Sequence, residues 1–421
     1  MTHEGEARAA RLGLFAATGI EIEYMIVDRE RLSVLPVCDE LIRAAVGRVE
    51  SEIERGALAW SNELVLHVVE LKTNGPARTL DGLASVFAAD VRRIDDLLAP
   101  LGGRLMPTAM HPLMNPDRET VLWPHDYSEV YQTFDRIFDC RGHGWSNLQS
   151  VHINLPFGDD QEFGRLHAAI RLVLPLLPFL AASSPLVEGR FTGLADNRLE
   201  YYRMNCRRIP SITAHVVPEQ VFSQADYEAR IFRPIAEAVA PFDADGVLDP
   251  EWTNARGAIA RFDRSAIEIR LLDVQECPRA DLAVVSVIVA LVRALVEERW
   301  APGARQRALD ERRLEAVLLA GIAGGSAATV DDGDLATLVG AGARGPVDGR
   351  ALWGAIAERL VAEGLLAGSG EWAAPFERFL SEGTLAERIE RAIGAPSPGR
   401  IFEVYGSLSE CLHHGTLFSA P

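Results

Sequence analysis

Residues 19–27, GIEIEYMIV, set two acids one residue apart inside a run that is otherwise apolar or aromatic. In an extended strand successive side chains leave on opposite faces. Glu21 and Glu23 therefore share a face, about 7 Å apart, while Ile20, Ile22, Tyr24 and Ile26 line the other. One face is committed to a core and the other carries like charges. A wet antiparallel sheet tolerates this; so does a face whose acids gather around a divalent cation held by oxygen ligands.

The same design recurs along the chain. In SVHINLPF (150–157) Val151, Ile153 and Leu155 alternate with His152 and Asn154, and in AIEIRLLD (266–273) Ile267, Ile269 and Leu271 alternate with Glu268 and Arg270. A fourth segment, SNELVLHVVELKTNG (61–75), holds Glu63 and Glu70. Their odd spacing sends them to opposite faces of a regular strand, so Glu63 is expected before the strand proper, or a bulge between the two. A merely wet face carries a mixture of Ser, Thr, Lys, Gln and Glu. These strands carry Glu, His, Asn and Arg, which suits magnesium or manganese together with an anion clamp.

A chain of 421 residues with 48% hydrophobic content can bury a large core as one big domain or two ordinary ones. The net charge of −18 argues against nucleic acid and anionic lipid as partners. No apolar run reaches membrane-spanning length and the start, MTHEGEARAARLG, lacks a signal-peptide pattern, so a cytoplasmic protein is expected. Cys38, Cys140, Cys206, Cys277 and Cys411 show no C-x-x-C pairing and read as reduced, isolated thiols. Lys72 is the only lysine, which excludes a Walker A loop. Phosphate is then left to arginines and metal ions; arginine's planar fork suits it.

Helical apolar spacing is clear in 81–102, in 164–185 with kinks at Pro175 and Pro178, and in 279–300. Beyond Trp300 the chain reads as mainly helical (307–323, 349–368, 375–394), with breaks at 323–334, 340–349 and 394–400. The expected organisation is a domain over 1–300 and a mainly helical C-terminal region over 301–421 packed on it.

Taken in order, GIEIE, ELVLHVVELKT, MPTAMHP, SVHINLPF, SSPLVEGRFTG and AIEIRLLDVQECP resemble the glutamate–cysteine ligase type 2 family, also called carboxylate–amine ligases, from about Gly19 to Trp300. The resemblance implies an α+β, glutamine-synthetase-like fold: a curved antiparallel sheet forming an acidic funnel, flanked by helices. It also implies ATP-driven joining of a glutamate side-chain carboxylate to an amine such as cysteine through an acyl-phosphate. Carried over by motif, Glu21, Glu23, Glu70, His152 and Glu268 share Mg2+ or Mn2+, Arg270 faces the transferring phosphoryl group, and Glu63 either ligates metal or holds the amine. Arg190 and Arg198 are candidates for gripping a substrate carboxylate, with capping and surface roles as the alternative. Arg261 and Arg264 lie where the family places a substrate-binding arginine. Phe191 stands where relatives often have an acid.

Overall fold

In the computed structural model, which describes residues 11–343 and 345–420, the strands are β1 (Gly19–Asp28), β2 (Glu52–Arg55), β3 (Leu58–Asn62), β4 (Val68–Thr73), β5 (Gly103–Met106), β6 (Ser150–Pro156), β7 (Leu186–Val187), β8 (Arg190–Phe191), β9 (Ala258–Arg261) and β10 (Ala266–Asp273), with two further short strands at Thr329–Val330 and Val347–Asp348. Eight of them form one antiparallel sheet in the order β2-β3-β4-β1-β6-β10-β9, with β5 also on β1. The expected antiparallel, helix-flanked α+β fold is what the chain adopts. Segment 61–75 is not one strand, however. It is the end of β3, a connection holding Glu63, and β4, which returns antiparallel with Asn62 opposite Val69.

β1 organises the sheet. One edge pairs with β4, and the other divides, its first half pairing with β6 and its second with β5. Ile20, Ile22, Tyr24 and Ile26 are fully buried, in one core cluster with Val69, Leu71, Ile153 and Ile269. Each such aliphatic side chain contributes about 1.5–3 kcal/mol through burial, which fixes the register and with it the direction of every side chain on the opposite face.

The helix Pro278–Val296 is buried almost all round because Asp160–Val173, Leu83–Leu98, Gly349–Ala362 and Ala373–Glu382 pack against it. Asp160–Val173 starts at an Asp159 cap accepting from the Glu162 amide. It passes into a 3-10 turn at Leu174–Leu176 and a short helix at Pro178–Ala181, since the two prolines cannot continue the α-helical hydrogen bonding.

The helical pattern over 375–394 is broken at Gly383, whose φ of 86° ends Ala373–Glu382. Thr384 and Glu387 then form a reciprocal cap that starts Leu385–Ile393. This helix and Pro398–His414 cover the second half of β1's acid-bearing face, where Met25 and Val27 pack with Ile389, Tyr405 and Leu408. The tail is fastened by a buried Arg388–Glu276 pair with contacts of 2.7 and 2.9 Å, three residues past β10. No described helix is long and apolar enough to cross a membrane.

Candidate active site

The pleat and the register assemble the site. Across the sheet Glu23 stands opposite Glu70, Glu21 opposite both Lys72 and His152, and Glu268 opposite Asn154. Directly paired residues share a face, so residues distant in sequence become neighbours. β10 carries a bulge between Ile269 and Leu272. The extra residue shifts the alternation, so Asp273, three residues after Arg270, lies opposite Ser150 on this same face.

Two overlapping groups of ligand atoms result. Glu21, Glu70 and His152 offer atoms all within 4.8 Å of one another, as do Glu23, Glu63 and Glu70, so that Glu70 belongs to both. Donor oxygens about 2.1 Å from a magnesium ion lie up to about 4.2 Å apart, close to the spacing present. His152 Nδ1 is 3.0 Å from Glu21, its Nε2 is 2.9 Å from Ser150 Oγ, and Asn154 donates to Glu21 at 3.0 Å. The Ser150 amide and hydroxyl donate to Glu23 at 2.7 and 3.0 Å, and Ser61 donates to Glu70 at 2.6 Å.

The electrostatics divide the site in two. Burial first, then the neighbouring acids, pushes Glu63 well above the usual carboxylate range and Glu70 up to about 7. Glu21 and Glu23 are raised in the same way. Burial, and Arg270 after it, lowers His152, which favours the neutral imidazole a metal requires. At Glu268 the balance reverses. Against burial, Arg270 at 3.2 Å and Arg261 at 3.1 Å hold Glu268 down to about 2. Four acids, Glu23 and Glu70 buried and Glu21 and Glu63 half-buried, fit a divalent cation; Glu268 already has two cations of its own.

A cavity opens on each side of these acids along the strands. The larger, about 810 Å3, is lined by Glu21, Lys72, Thr73, Asn154, Arg264 and Ala266 among others. The smaller, about 220 Å3, is lined by Glu23, Glu63, His152, Arg198 and Arg270, with Tyr131, Phe134, Trp145 and Trp252 along its aromatic side. Arg198 is only 2% exposed, yet its Nε and Nη1 have no hydrogen-bond partner, and neither does Arg270 Nε. Arg198 Nη2 donates to the Arg270 carbonyl at 2.8 Å, and its Nη1 stands 3.6 Å from Asp273. Both arginines line the smaller cavity, where their charge suits an anion.

The structure thus brings Glu21, Glu23, Glu63, Glu70, His152, Glu268, Arg270, Arg198 and Arg261 together. Glu63 follows β3 and precedes β4, as its spacing required. Arg261 ends β9 at Glu268, whereas Arg264 lies in the turn beyond it, largely exposed at the rim of the larger cavity. Arg190 is not brought in: it is exposed on the β7–β8 hairpin and lines neither cavity. Sequence reasoning missed Ser61, Ser150, Asp273 and the placement of Lys72. Two-residue periodicity points to Ser150, two before His152, but no alternation reveals Asp273 across a bulge.

Residues 17–334 match the profile of the family described as "Glutamate-cysteine ligase family 2". A protein of Archaeoglobus fulgidus named as uncharacterised is 36% identical over 281 residues, covering 66% of this chain and 75% of its own length. A Nocardioides protein bearing the name "Putative glutamate--cysteine ligase 2-1" is 30% identical over 293 residues, covering 68% and 69%. The crystal structure of a Francisella tularensis glutamate–cysteine ligase in complex with AMP aligns with a TM-score of 0.55 at 13% identity, covering 96% of this chain and 89% of that one; the two share a fold.

Proposed function

The chain belongs to the glutamate–cysteine ligase family 2, and from that premise we propose that it is an ATP-dependent carboxylate–amine ligase forming a γ-glutamyl amide, with cysteine as the family's default amine. One observation carries this reading: two ligand groups joined by Glu70 lie between a nucleotide-sized cavity and an amino-acid-sized one lined by Arg198 and Arg270. A carboxylate is a poor electrophile and must first be activated; phosphorylation by ATP does so.

Glu21, Glu23, Glu63, Glu70 and His152 are the residues that would hold Mg2+ or Mn2+. A bound divalent cation supplies charge neutralisation for the β- and γ-phosphates and draws the two anions together. Arg198 holds the substrate acid and, through the Arg270 carbonyl, keeps Arg270 in place. Arg270 stabilises charge developing on the transferring phosphoryl group. The free amine attacks the acyl-phosphate carbonyl, the amide C–N bond forms as the C–O bond to phosphate breaks, and the amine's proton leaves with the phosphate. No enzyme nucleophile is needed, and all five cysteines are buried away from both cavities.

Hydroxylamine trapping tests the chemistry. With glutamate, Mg-ATP and hydroxylamine, hydroxamate should accumulate along with ADP. ADP formation without hydroxamate would point instead to a kinase of a guanidino or other non-carboxylate acceptor, and no nucleotide binding at all would leave a metabolite-binding relative. The aromatic side of the smaller cavity favours a second reading, in which the amine is bulkier and less polar than cysteine. A panel of amines scored by ADP release with glutamate separates the two.

A further inference from the structure

Of 42 basic residues in this chain, one is a lysine, and the sheet places it at the boundary between the acids and the larger cavity. Lys72 stands opposite Glu21 across β1 and β4 and two residues from Glu70 on the same face. Its Nζ lies 2.6 Å from Glu52 on the edge strand β2 and 3.3 Å from Glu70. The side chain is one quarter exposed and lines the cavity beside Thr73, Asn74 and Arg264.

The two acids hold it unequally. Glu52 is more than half exposed, and an ion pair with so exposed a partner is weak and easily exchanged. Glu70 is buried and belongs to both ligand groups. An ammonium is a compact charge whose three donors turn freely on a flexible stem. A guanidinium here would fork onto Glu70 and keep it from a metal. The geometry points to Lys72 as the residue that reads the nucleotide's polyphosphate. On Mg-ATP binding its ammonium exchanges Glu52 for β- and γ-phosphate oxygens and draws away from Glu70, leaving that carboxylate to the cation. The inference rests on the ligase reading and adds to it a means of preferring a triphosphate over a monophosphate.

Calorimetric titration of the full chain with Mg-ATP and with AMP tests it, using wild type, Lys72→Met, Lys72→Arg and Glu52→Gln, each checked for wild-type circular dichroism and melting. Lys72→Met should weaken Mg-ATP at least tenfold while leaving AMP within about twofold; Lys72→Arg, whose fork would hold Glu70, should recover none of the loss, and Glu52→Gln should bind Mg-ATP as tightly as wild type or better. Unchanged Mg-ATP affinity in Lys72→Met, or equal losses for Mg-ATP and AMP, overturns the assignment to the polyphosphate. A wild-type chain that fails to bind Mg-ATP overturns the ligase reading itself, which is a different result from either.

Discussion

The acids of β1 and β4 and Glu268 of β10 share one sheet face but solve the problem of buried charge differently. Glu268 carries its counter-charge in its own neighbourhood, with Arg270 two residues along the strand and Arg261 on the adjacent one. Among the described residues, the ion-pair partners of Glu21, Glu23 and Glu70 are Lys72 at one edge and His152 between them, with Arg270 and Arg198 acting on the group from further off. One side carries its counter-charge as folded; the other keeps an excess of carboxylates, which is what the proposed cation would offset. In an apolar setting a carboxylate either finds a positive partner or gains a proton, and the two sides take these two routes.

The sharpest break in this comparison is Glu70→Gln, which removes the carboxylate common to both ligand groups. ADP formation should fall at least about 100-fold, near 3 kcal/mol in barrier, with the far-ultraviolet circular dichroism unchanged; undiminished turnover would remove the metal assignment. Glu268→Gln should instead act on stability. Taking the shared partner from Arg270 and Arg261 should cost about 3 kcal/mol in urea denaturation, whereas Glu63→Gln in EDTA should denature at the same urea concentration as wild type or higher, since it removes a group whose ionisation the fold disfavours.

Next in size is the response to pH. Glu70, raised to about 7 from the ordinary 4.5, binds its proton more tightly folded than unfolded. Its ionisation costs nothing below pH 4.5, and the cost grows as pH rises towards 7 and is complete above it. Glu268, lowered to about 2, contributes stability above pH 4.5 that is lost as pH falls towards 2. Metal-free protein should therefore melt lower at pH 8 than at pH 5, and millimolar Mg2+ should remove most of the difference by differential scanning calorimetry. Equal melting at both pH values in EDTA would mean that the four acids are not the burden described. The smallest effect is expected for Arg190→Ala, on its exposed hairpin. Stability should move by no more than about 0.5 kcal/mol and the Michaelis constant for glutamate by less than twofold.

Much of the site was legible because strand periodicity is strict. Once Ile20, Ile22 and Ile26 are assigned to the core, Glu21 and Glu23 have only one face left, and the same holds for His152 beside Val151 and Ile153. What periodicity cannot carry is pairing at a distance and any interruption of the alternation. The odd spacing of Glu63 and Glu70 marked a departure, yet it did not reveal that β3 and β4 are separate antiparallel strands. The bulge that brings Asp273 to the face of Ser150 leaves no trace in the pattern. Arg190 and Arg198 could not be told apart as sequence. One ended on an exposed hairpin and the other, eight residues later, near the start of a helix, buried and bonded to the Arg270 carbonyl of β10.

The Arg388–Glu276 pair gives the last helices a reach beyond their own packing. Glu276 is six residues from Arg270 along one continuous stretch of chain, and the Phe418 amide also donates to it, at 3.3 Å. The C-terminal end of the polypeptide is thus moored to the backbone that carries Arg270. A break in the chain after Glu382, which removes none of the proposed ligands, would slacken that mooring and uncover Met25 and Val27 at the same stroke.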